Sequence, residues 1–211
     1  MNVPLLESVP PLLPVDFFRL SLGVPYVKRE PFKGALLPDT SALLNEEPFA
    51  QVFLGWSEEG VSLLVKVNQP FQESFYPDYA KGDSMEFFFD TRDVKSAGYA
   101  TGFCHHFILL PQPAYGIRVQ EVTHFRSEES HPLCDPDLIE VESDMGRKHY
   151  EMKIFFPSAA LHGFDPVQCP RLGFTYKLNR YQGAPQHFTL SSVLYNIGQQ
   201  SSLWASLHFL P

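Results

Sequence analysis

Proline and glycine interrupt this chain at short intervals from one end to the other. Its 211 residues include 19 prolines and 13 glycines. Both residue types disrupt the interior of helices and central strands, so the chain is restricted to short regular elements. A hydrophobic content of 44%, with 14% aromatic residues, is sufficient for a buried core. We therefore expect one folded domain of short elements rather than a helical bundle or a disordered chain.

Strand-like segments recur about every ten residues, with turn signals between them. Residues 49–56 and 61–68 predict a hairpin around Ser57-Glu58-Glu59-Gly60, and residues 138–143 and 149–156 predict a second one, in which Gly146 takes positive φ. The remaining predicted strands are residues 83–90, 102–111 (ended by proline), 117–125, 171–181, 187–193 and 202–210.

This pattern predicts an all-β fold, a two-sheet antiparallel β-sandwich that is jelly-roll-like. One short helix is predicted at 157–164, where Pro157 suits the first turn, Ser158 can cap and Gly163 can end it. Residues 1–35 predict an extended, proline-rich N-terminal arm packed on the domain, and residues 36–211 predict the sandwich itself.

Charge and cysteine content limit the classes of partner. The net charge is −8 and no Lys/Arg cluster is present, so neither a nucleic acid nor an anionic membrane is expected as a partner. Cys104, Cys134 and Cys169 lack Cys-x-x-Cys spacing and predict reduced thiols, with no metal site and no cofactor. The sequence shows no membrane span and no cationic signal segment, which predicts a cytoplasmic protein, with export by a route that the sequence does not reveal as the alternative.

The segment KGDSMEFFFDTRD, residues 81–93, places carboxylates in the most apolar strand of the chain. Alternation along a strand puts Ser84, Glu86 and Phe88 on one face and Met85, Phe87 and Phe89 on the other. The second set is expected in the core, so Glu86 faces outward. The flanking Asp83 and Asp90 are expected to accept hydrogen bonds from turn amides.

The order of several motifs resembles the family 9 carbohydrate-binding modules and the wider group of DOMON-like β-sandwiches. VFLGWSEEGVSLLVKV resembles the first hairpin of the family, and GDSMEFFFD its hallmark strand. YEMKIFFPSAAL, RLGFTYKLNR and SSLWASLHF are similar to later strands, so the resemblance covers roughly residues 45–210. The usual opening motif of the family, which can contribute to calcium binding, is not recognisable in the first forty residues.

The resemblance implies a sugar ring held between two aromatic side chains and gripped by charged groups. The positions that match are Tyr76 and Tyr79 before the hallmark strand, and Tyr195 with Asn196 before the closing strand. Glu86 matches the sugar-contacting carboxylate of the family. The alternative is that these tyrosines shape loops. Trp56 and Trp204 match positions that are expected to be packing residues.

His105 and His106 are adjacent, so a strand directs them to opposite faces. The resemblance implies that one of them replaces the basic, hydroxyl-binding side chain of the family. We therefore predict a Glu–His pair between Glu86 and one of these histidines on neighbouring strands, with a structural role as the alternative.

The function predicted is that of a non-catalytic carbohydrate-binding domain, with a short or terminal saccharide on one concave sheet face. One alternative is a structural or protein-interaction sandwich whose partner docks on exposed rings of the aromatic loop 69–82. Another is a haem-binding electron-transfer domain with methionine and histidine ligands, although Met85 falls in the core phase of its strand. No nucleophile, metalloprotease, phosphate-loop or dinucleotide motif indicates an enzyme.

Overall fold

The structure is a computed structural model that describes residues 19–126 and 130–211. The first eighteen residues of the predicted arm lie outside the described residues. Within the described part, the strands are β1 (Ser21–Val24), β2 (Ala50–Ser57), β3 (Gly60–Val67), β4 (Ser84–Asp90), β5 (Cys104–Ala114), β6 (Ile117–Glu121), β7 (Glu140–Met145), β8 (Tyr150–Pro157), β9 (Arg171–Asn179), β10 (Gln186–His187) and β11 (Ala205–Phe209). The one α-helix among them is α1 (Ser41–Leu44).

These strands form two sheets. The larger sheet has the order β1-β11-β9-β4-β5-β6, with β10 also paired to β9, and the smaller has the order β2-β3-β8-β7. The pairs are antiparallel except for β1 and β11, which run parallel. This confirms the predicted two-sheet antiparallel sandwich. Strand β1 falls in the predicted arm and forms one edge of the larger sheet.

The side chains between the sheets follow the predicted alternation. Met85, Phe87 and Phe89 of β4 belong to the main core, and each is at most 1% exposed. Burial of side chains of this size contributes roughly 1.5–3 kcal/mol each. Phe88, on the opposite face of the same strand, joins a second, smaller cluster. The three phenylalanines are therefore all buried, but on two different sides of the sheet.

Both predicted hairpins are present, but their glycines act differently. Gly60 pairs with Ser57 across a turn of two residues and has a φ of +147°. Gly146 does not have the positive φ that the sequence predicts. A Cβ atom at Gly146 would lie 2.8 Å from the carbonyl oxygen of His149, so close approach of the backbone explains the glycine there.

The predicted helix at 157–164 is shorter than expected. Only a 3₁₀ turn, Ser158–Ala160, forms at this place, with Pro157 rather than Ser158 at the N-cap position and no side-chain capping hydrogen bond. The residues on either side are fixed by tertiary contacts instead: the Ser158 amide donates to the Glu59 carbonyl and Leu161 is fully buried. Tertiary packing therefore overrides the local helix signal.

Three predicted strand ends are also wrong. The predicted strand 117–125 ends at Glu121. Strand β5 continues past Pro111 to Ala114, because the pairing register with β6 shifts between Leu109 and Ala114 and leaves the proline outside the regular ladder. The predicted strand 187–193 is reduced to Gln186–His187, and the chain then turns at Thr189, whose φ is +68°. Within the described residues, no helix is both long and apolar enough to cross a membrane.

Candidate functional site

The aspartates at the two ends of β4 bind backbone amides, as predicted. The Asp83 carboxylate accepts hydrogen bonds from the amides of Gln72, at 2.7 Å, and Tyr181, at 3.1 Å. The Asp90 carboxylate accepts from the amides of Arg92 and Val94, at 3.0 and 2.7 Å. Both carboxylates thus hold loops onto the ends of the strand, which leaves Glu86 as the acidic residue available for another role.

Glu86 lies on the outer face of the larger sheet and is held by three side chains. Its Oε2 atom is 2.9 Å from Nε2 of His106. Its Oε1 atom is 3.0 Å from Nζ of Lys177 and accepts a hydrogen bond from the Asn179 amide at 3.0 Å. Lys177 stands directly opposite Glu86 in β9, and His106 comes from β5 on the other side. The predicted Glu–His pair on neighbouring strands is therefore present.

These contacts keep the Glu86 carboxyl ionised. Burial raises the pKa of this carboxyl, but the hydrogen bond from His106 and the charge of Lys177 outweigh burial and lower the pKa to about 2. The side chains of Lys177 and His106 are 17% and 15% exposed, against 6% for Glu86. The basic groups therefore reach solvent, while the carboxylate mainly fixes their positions from below.

An open cleft of about 810 Å³ lies over this group. The segment 192–199 forms one wall, His124 and Arg126 contribute to the lining, and the Gln199 side chain donates to the His124 carbonyl at 2.9 Å. The described residues that line the cleft are Tyr79, Glu86, Phe88, His106, His124, Arg126, Lys177 and residues 192–199. The cleft therefore combines aromatic rings with hydrogen-bonding groups of both charges.

The small cluster around Phe88 supports the 192–199 wall. The Trp204 ring packs 5.8 Å from the Phe88 ring, and its Nε1 atom donates to the Ile197 carbonyl at 2.9 Å. A Cβ atom at Gly198 would lie 3.4 Å from the Phe88 ring. Trp204 is thus a packing residue, as predicted, and it holds the wall against the sheet. Trp56 also packs as predicted, stacked on Phe209 at 4.7 Å.

The structure brings together most of the predicted site residues. Tyr79, Glu86, His106, Tyr195 and Asn196 all line the cleft. The pKa of Tyr79 is raised to about 12, first by burial and then by the negative charge of Glu86, so its hydroxyl stays protonated. These five residues come from three separate parts of the chain.

Two predicted residues do not line the cleft. Tyr76 is half-buried and is not among the described residues that line the cleft. His105 lies on the opposite face of β5, where its Nδ1 atom is 2.9 Å from Oε1 of Glu121. Because adjacent strand residues alternate, only one histidine of the pair can reach the cleft, and it is His106.

Lys177, His124 and Arg126 are cleft residues that the sequence analysis did not select. For Lys177 a signal existed, since Thr175, Lys177 and Asn179 alternate with apolar residues along β9 and so share the face of Glu86. For His124 and Arg126 the sequence carries no comparable signal, because they lie in a loop after β6. Their position depends on how that loop folds back.

A second polar cluster lies on the inner side of β5. His105, Glu121 and His131 are each at most 6% exposed, and their ligand atoms all lie within 4.8 Å of one another. The sequence predicts no metal site in this chain. Glu121 and His131 are ten residues apart, so the cluster has no recognisable metal-ligand spacing.

The aromatic loop 69–82 does not present the exposed rings that were expected of a docking patch. Phe71, Phe75, Tyr76 and Tyr79 are all half-buried. The Phe71 ring packs edge-on to Tyr150 at 6.2 Å, and the Phe75 ring lies 6.1 Å from that of Tyr181. The loop therefore uses these rings largely for its own packing on the domain.

Comparison with solved structures finds the same architecture in sugar-binding domains. A family 9 carbohydrate-binding module from Caldicellulosiruptor kristjanssonii, in complex with cellotriose, has a TM-score of 0.62 at 16% identity, covering 90% of this chain and 93% of that one. A module of the same family from the same organism, in complex with glucose, has a TM-score of 0.61 at 15% identity, covering 90% and 95%. This chain has the fold of a family 9 carbohydrate-binding module.

A third structure, of a candidate carbohydrate-binding protein from Bacteroides uniformis ATCC 8492, has a TM-score of 0.53 at 12% identity and covers 90% of this chain and 99% of that one. No family profile and no curated protein matches the sequence. The likeness to family 9 modules is thus one of fold. The resemblance to the wider DOMON-like group stays a prediction.

Proposed function

We propose that this chain is a non-catalytic carbohydrate-binding domain that holds a short or terminal saccharide in the cleft above Glu86. One observation carries the proposal: a Glu86–His106–Lys177 group lies at the base of an open cleft that tyrosines also line. The family 9 modules that share this fold were solved with cellotriose and glucose. We further infer a cytoplasmic location, as the sequence predicts.

The polar groups of the cleft suit sugar hydroxyls. One N–H group of the Lys177 ammonium points to Glu86, and the remaining N–H groups are free to donate to a ligand. His106 uses Nε2 for Glu86 and keeps Nδ1 available. Tyr79 and Tyr195 contribute aromatic rings to the lining, and the C–H face of a sugar ring packs favourably on such rings.

The same geometry favours binding over hydrolysis. Glycoside hydrolysis requires two carboxyl groups, one of which must be protonated to act as an acid. Glu86 is the one carboxylate among the described residues that line the cleft. Its pKa of about 2 also keeps it ionised at neutral pH. We therefore propose that the domain is not an enzyme.

The two alternative functions receive less support from the geometry. For a haem site, Met85 and Met152 are buried in the main core and neither sulfur reaches the cleft. For a protein partner on the loop 69–82, the rings that would form the patch are half-buried. Saccharide binding is the function that accounts for Glu86, His106 and Lys177 at the cleft.

The proposal is tested by titrating the full chain with glucose, cellotriose and a panel of other mono- and oligosaccharides. Binding is measured by calorimetry and by tyrosine fluorescence. At least one sugar should bind in the micromolar to millimolar range. The Lys177→Met variant should bind at least about 10-fold more weakly, because a hydrogen bond to a charged group is worth about 1.5–3 kcal/mol.

Lys148→Met, in the exposed β7–β8 turn, is the matched control and should bind like the wild type. Circular dichroism establishes that both variants fold. Absence of any response at millimolar sugar, or equal affinities of Lys177→Met and wild type, would contradict the proposal.

A further inference from the structure

The buried cluster on the inner side of β5 has a geometry that the saccharide cleft does not explain. His105 lies at the start of β5, Glu121 ends β6, and His131 lies in the connection that follows. A single carboxylate oxygen, Oε1 of Glu121, is 2.9 Å from Nδ1 of His105 and 3.0 Å from Nε2 of His131. It also accepts a hydrogen bond from the Thr123 hydroxyl at 2.7 Å.

We propose that His105, Glu121 and His131 form a binding site for a divalent transition-metal ion of the zinc type. Two imidazoles and one carboxylate are a ligand set that suits zinc and its neighbours, whereas calcium takes six to eight oxygen ligands. Three protein ligands leave the fourth position of a tetrahedral ion to a water molecule.

The atoms of the three ligands that would not contact the ion have hydrogen-bond partners of the kind found behind metal ligands. The other ring nitrogen of a metal-bound histidine usually donates to a carboxylate or a backbone carbonyl, which fixes the tautomer. Nδ1 of His131 lies 2.8 Å from the Gly102 carbonyl, and Nε2 of His105 lies 3.5 Å from the His162 carbonyl. The second oxygen of Glu121 accepts the Cys134 amide at 2.6 Å.

The two contacts of Glu121 are close to the separation of ligand atoms in a tetrahedral site. For bond lengths of about 2.0–2.1 Å in a tetrahedral site, two ligand atoms stand about 3.3 Å apart. The two N–O distances to Glu121 are 2.9 and 3.0 Å, and all three ligand atoms lie within 4.8 Å of one another. Metal binding would replace the protons that now lie between these atoms.

The site would fix a part of the chain that belongs to the cleft. His124 and Arg126 line the cleft, and both lie between Glu121 and His131 in the sequence. An ion held by Glu121 and His131 would link the two residues that flank His124 and Arg126 in the sequence and tie both to β5 through His105. The proposed metal therefore acts on the position of this part of the chain, and its presence does not depend on whether the cleft binds sugar.

The test uses the full chain without a histidine tag, treated with a chelator and then titrated with Zn²⁺ and, separately, with Co²⁺. We expect one ion per chain, a higher melting temperature, and a Co²⁺ visible spectrum of four-coordinate intensity. Amide hydrogen exchange should slow in the residues flanking Glu121 and His131. An affinity no better than millimolar for both ions, or a spectrum of hydrated six-coordinate Co²⁺, would overturn the proposal.

Variants locate the ion. His131→Gln and Glu121→Gln should each weaken Zn²⁺ binding by more than about 100-fold, since even loss of a group behind a ligand costs 10–100-fold. His149→Gln, at an exposed position, is the matched control and should bind like the wild type. Stoichiometric binding retained in either folded cluster variant would overturn the assignment. If a variant fails to fold, the Co²⁺ spectrum and the hydrogen exchange of the wild type establish whether the cluster binds the ion.

Discussion

At the scale of single residues, the acidic positions of β4 differ in what surrounds each carboxylate. Asp83 and Asp90 accept hydrogen bonds from backbone amides and serve the fold. Glu86 instead contacts three side chains, two of which are basic. A buried carboxylate needs such partners, because burial without them costs several kcal/mol. The residue therefore connects the stability of the sheet with the proposed binding site.

The pKa of Glu86 leads to a prediction about acid stability. The pKa is about 2 in the folded chain against a usual value of 4.5. Because the folded value is the lower one, the ionised carboxylate stabilises the fold above about pH 4.5, and this contribution is lost as the pH falls toward 2. The difference corresponds to about 3 kcal/mol in total, of which about 2 kcal/mol is lost by pH 3.

Chemical denaturation at pH 7 and pH 3 measures this contribution. Between these values the wild type should lose about 2 kcal/mol more unfolding free energy than Glu86→Gln, which has no carboxyl to titrate. Glu47→Gln, whose side chain is 85% exposed, should behave like the wild type. If Glu86→Gln and the wild type lose stability in parallel, Glu86 does not have its lowered pKa.

At the scale of elements, the wall 192–199 depends on a side chain outside the main core. Trp204 packs against Phe88 and donates to the Ile197 carbonyl, and the wall in turn supplies Tyr195 and Asn196 to the cleft. The outer face of the sheet is thus divided between a small apolar cluster, which holds the wall, and the polar base of the cleft beside it.

Replacing Trp204 by phenylalanine should loosen this wall. The variant keeps an aromatic ring but removes the donor to Ile197, at an expected cost of about 2 kcal/mol. Amide hydrogen exchange in 195–199 should become faster, and the affinity for a bound sugar should fall. Trp56→Phe is a matched control, because Trp56 also donates to a carbonyl, that of Leu210, at 2.9 Å. Faster exchange in 195–199 in both variants, or in neither, would contradict this role of Trp204.

Much of this element structure follows from local sequence. Period-two alternation correctly assigns the faces of β4 and the opposite directions of His105 and His106, because side-chain direction in a strand depends only on the local backbone. It also places Glu86 outward and Met85 in the core.

Other features depend on distant contacts and could not be read locally. The proline-containing end of β5 is tolerated only because its pairing with β6 shifts there. The positions of His124 and Arg126, and the meeting of His105 with His131, depend on where residues 122–126 and 130–131 come to lie on the sheet. No spacing in the sequence encodes those positions.

At the scale of the whole molecule, β1 completes an edge of the larger sheet. It pairs in parallel with β11, and Val24 is 1% exposed within the main core. Without β1, strand β11 would present unpaired backbone groups at the edge, and such edges promote pairing between chains. Residues 21–24 of the predicted arm are therefore part of the larger sheet.

Two deletions test this role of β1. Removal of residues 1–26 should lower the melting temperature by at least about 5 °C and cause self-association that rises with protein concentration. Removal of residues 1–18 alone retains β1 and is the control with which the loss of β1 is compared. Calorimetry and light scattering give the two readouts. Equal behaviour of the two truncated chains would show that β1 is dispensable.

The parallel pairing of β1 with β11 also determines how the domain responds to a mechanical load. Ser21 stands beside Ser206 and Val24 beside Phe209, so a pull on the chain before β1 and a pull on the chain after β11 act in opposite directions along the same axis. The hydrogen bonds between the two strands are then sheared together rather than unzipped one after another. Tension carried between the two ends of the domain passes through this four-residue contact, while the cleft over Glu86 lies on strands outside that line of force.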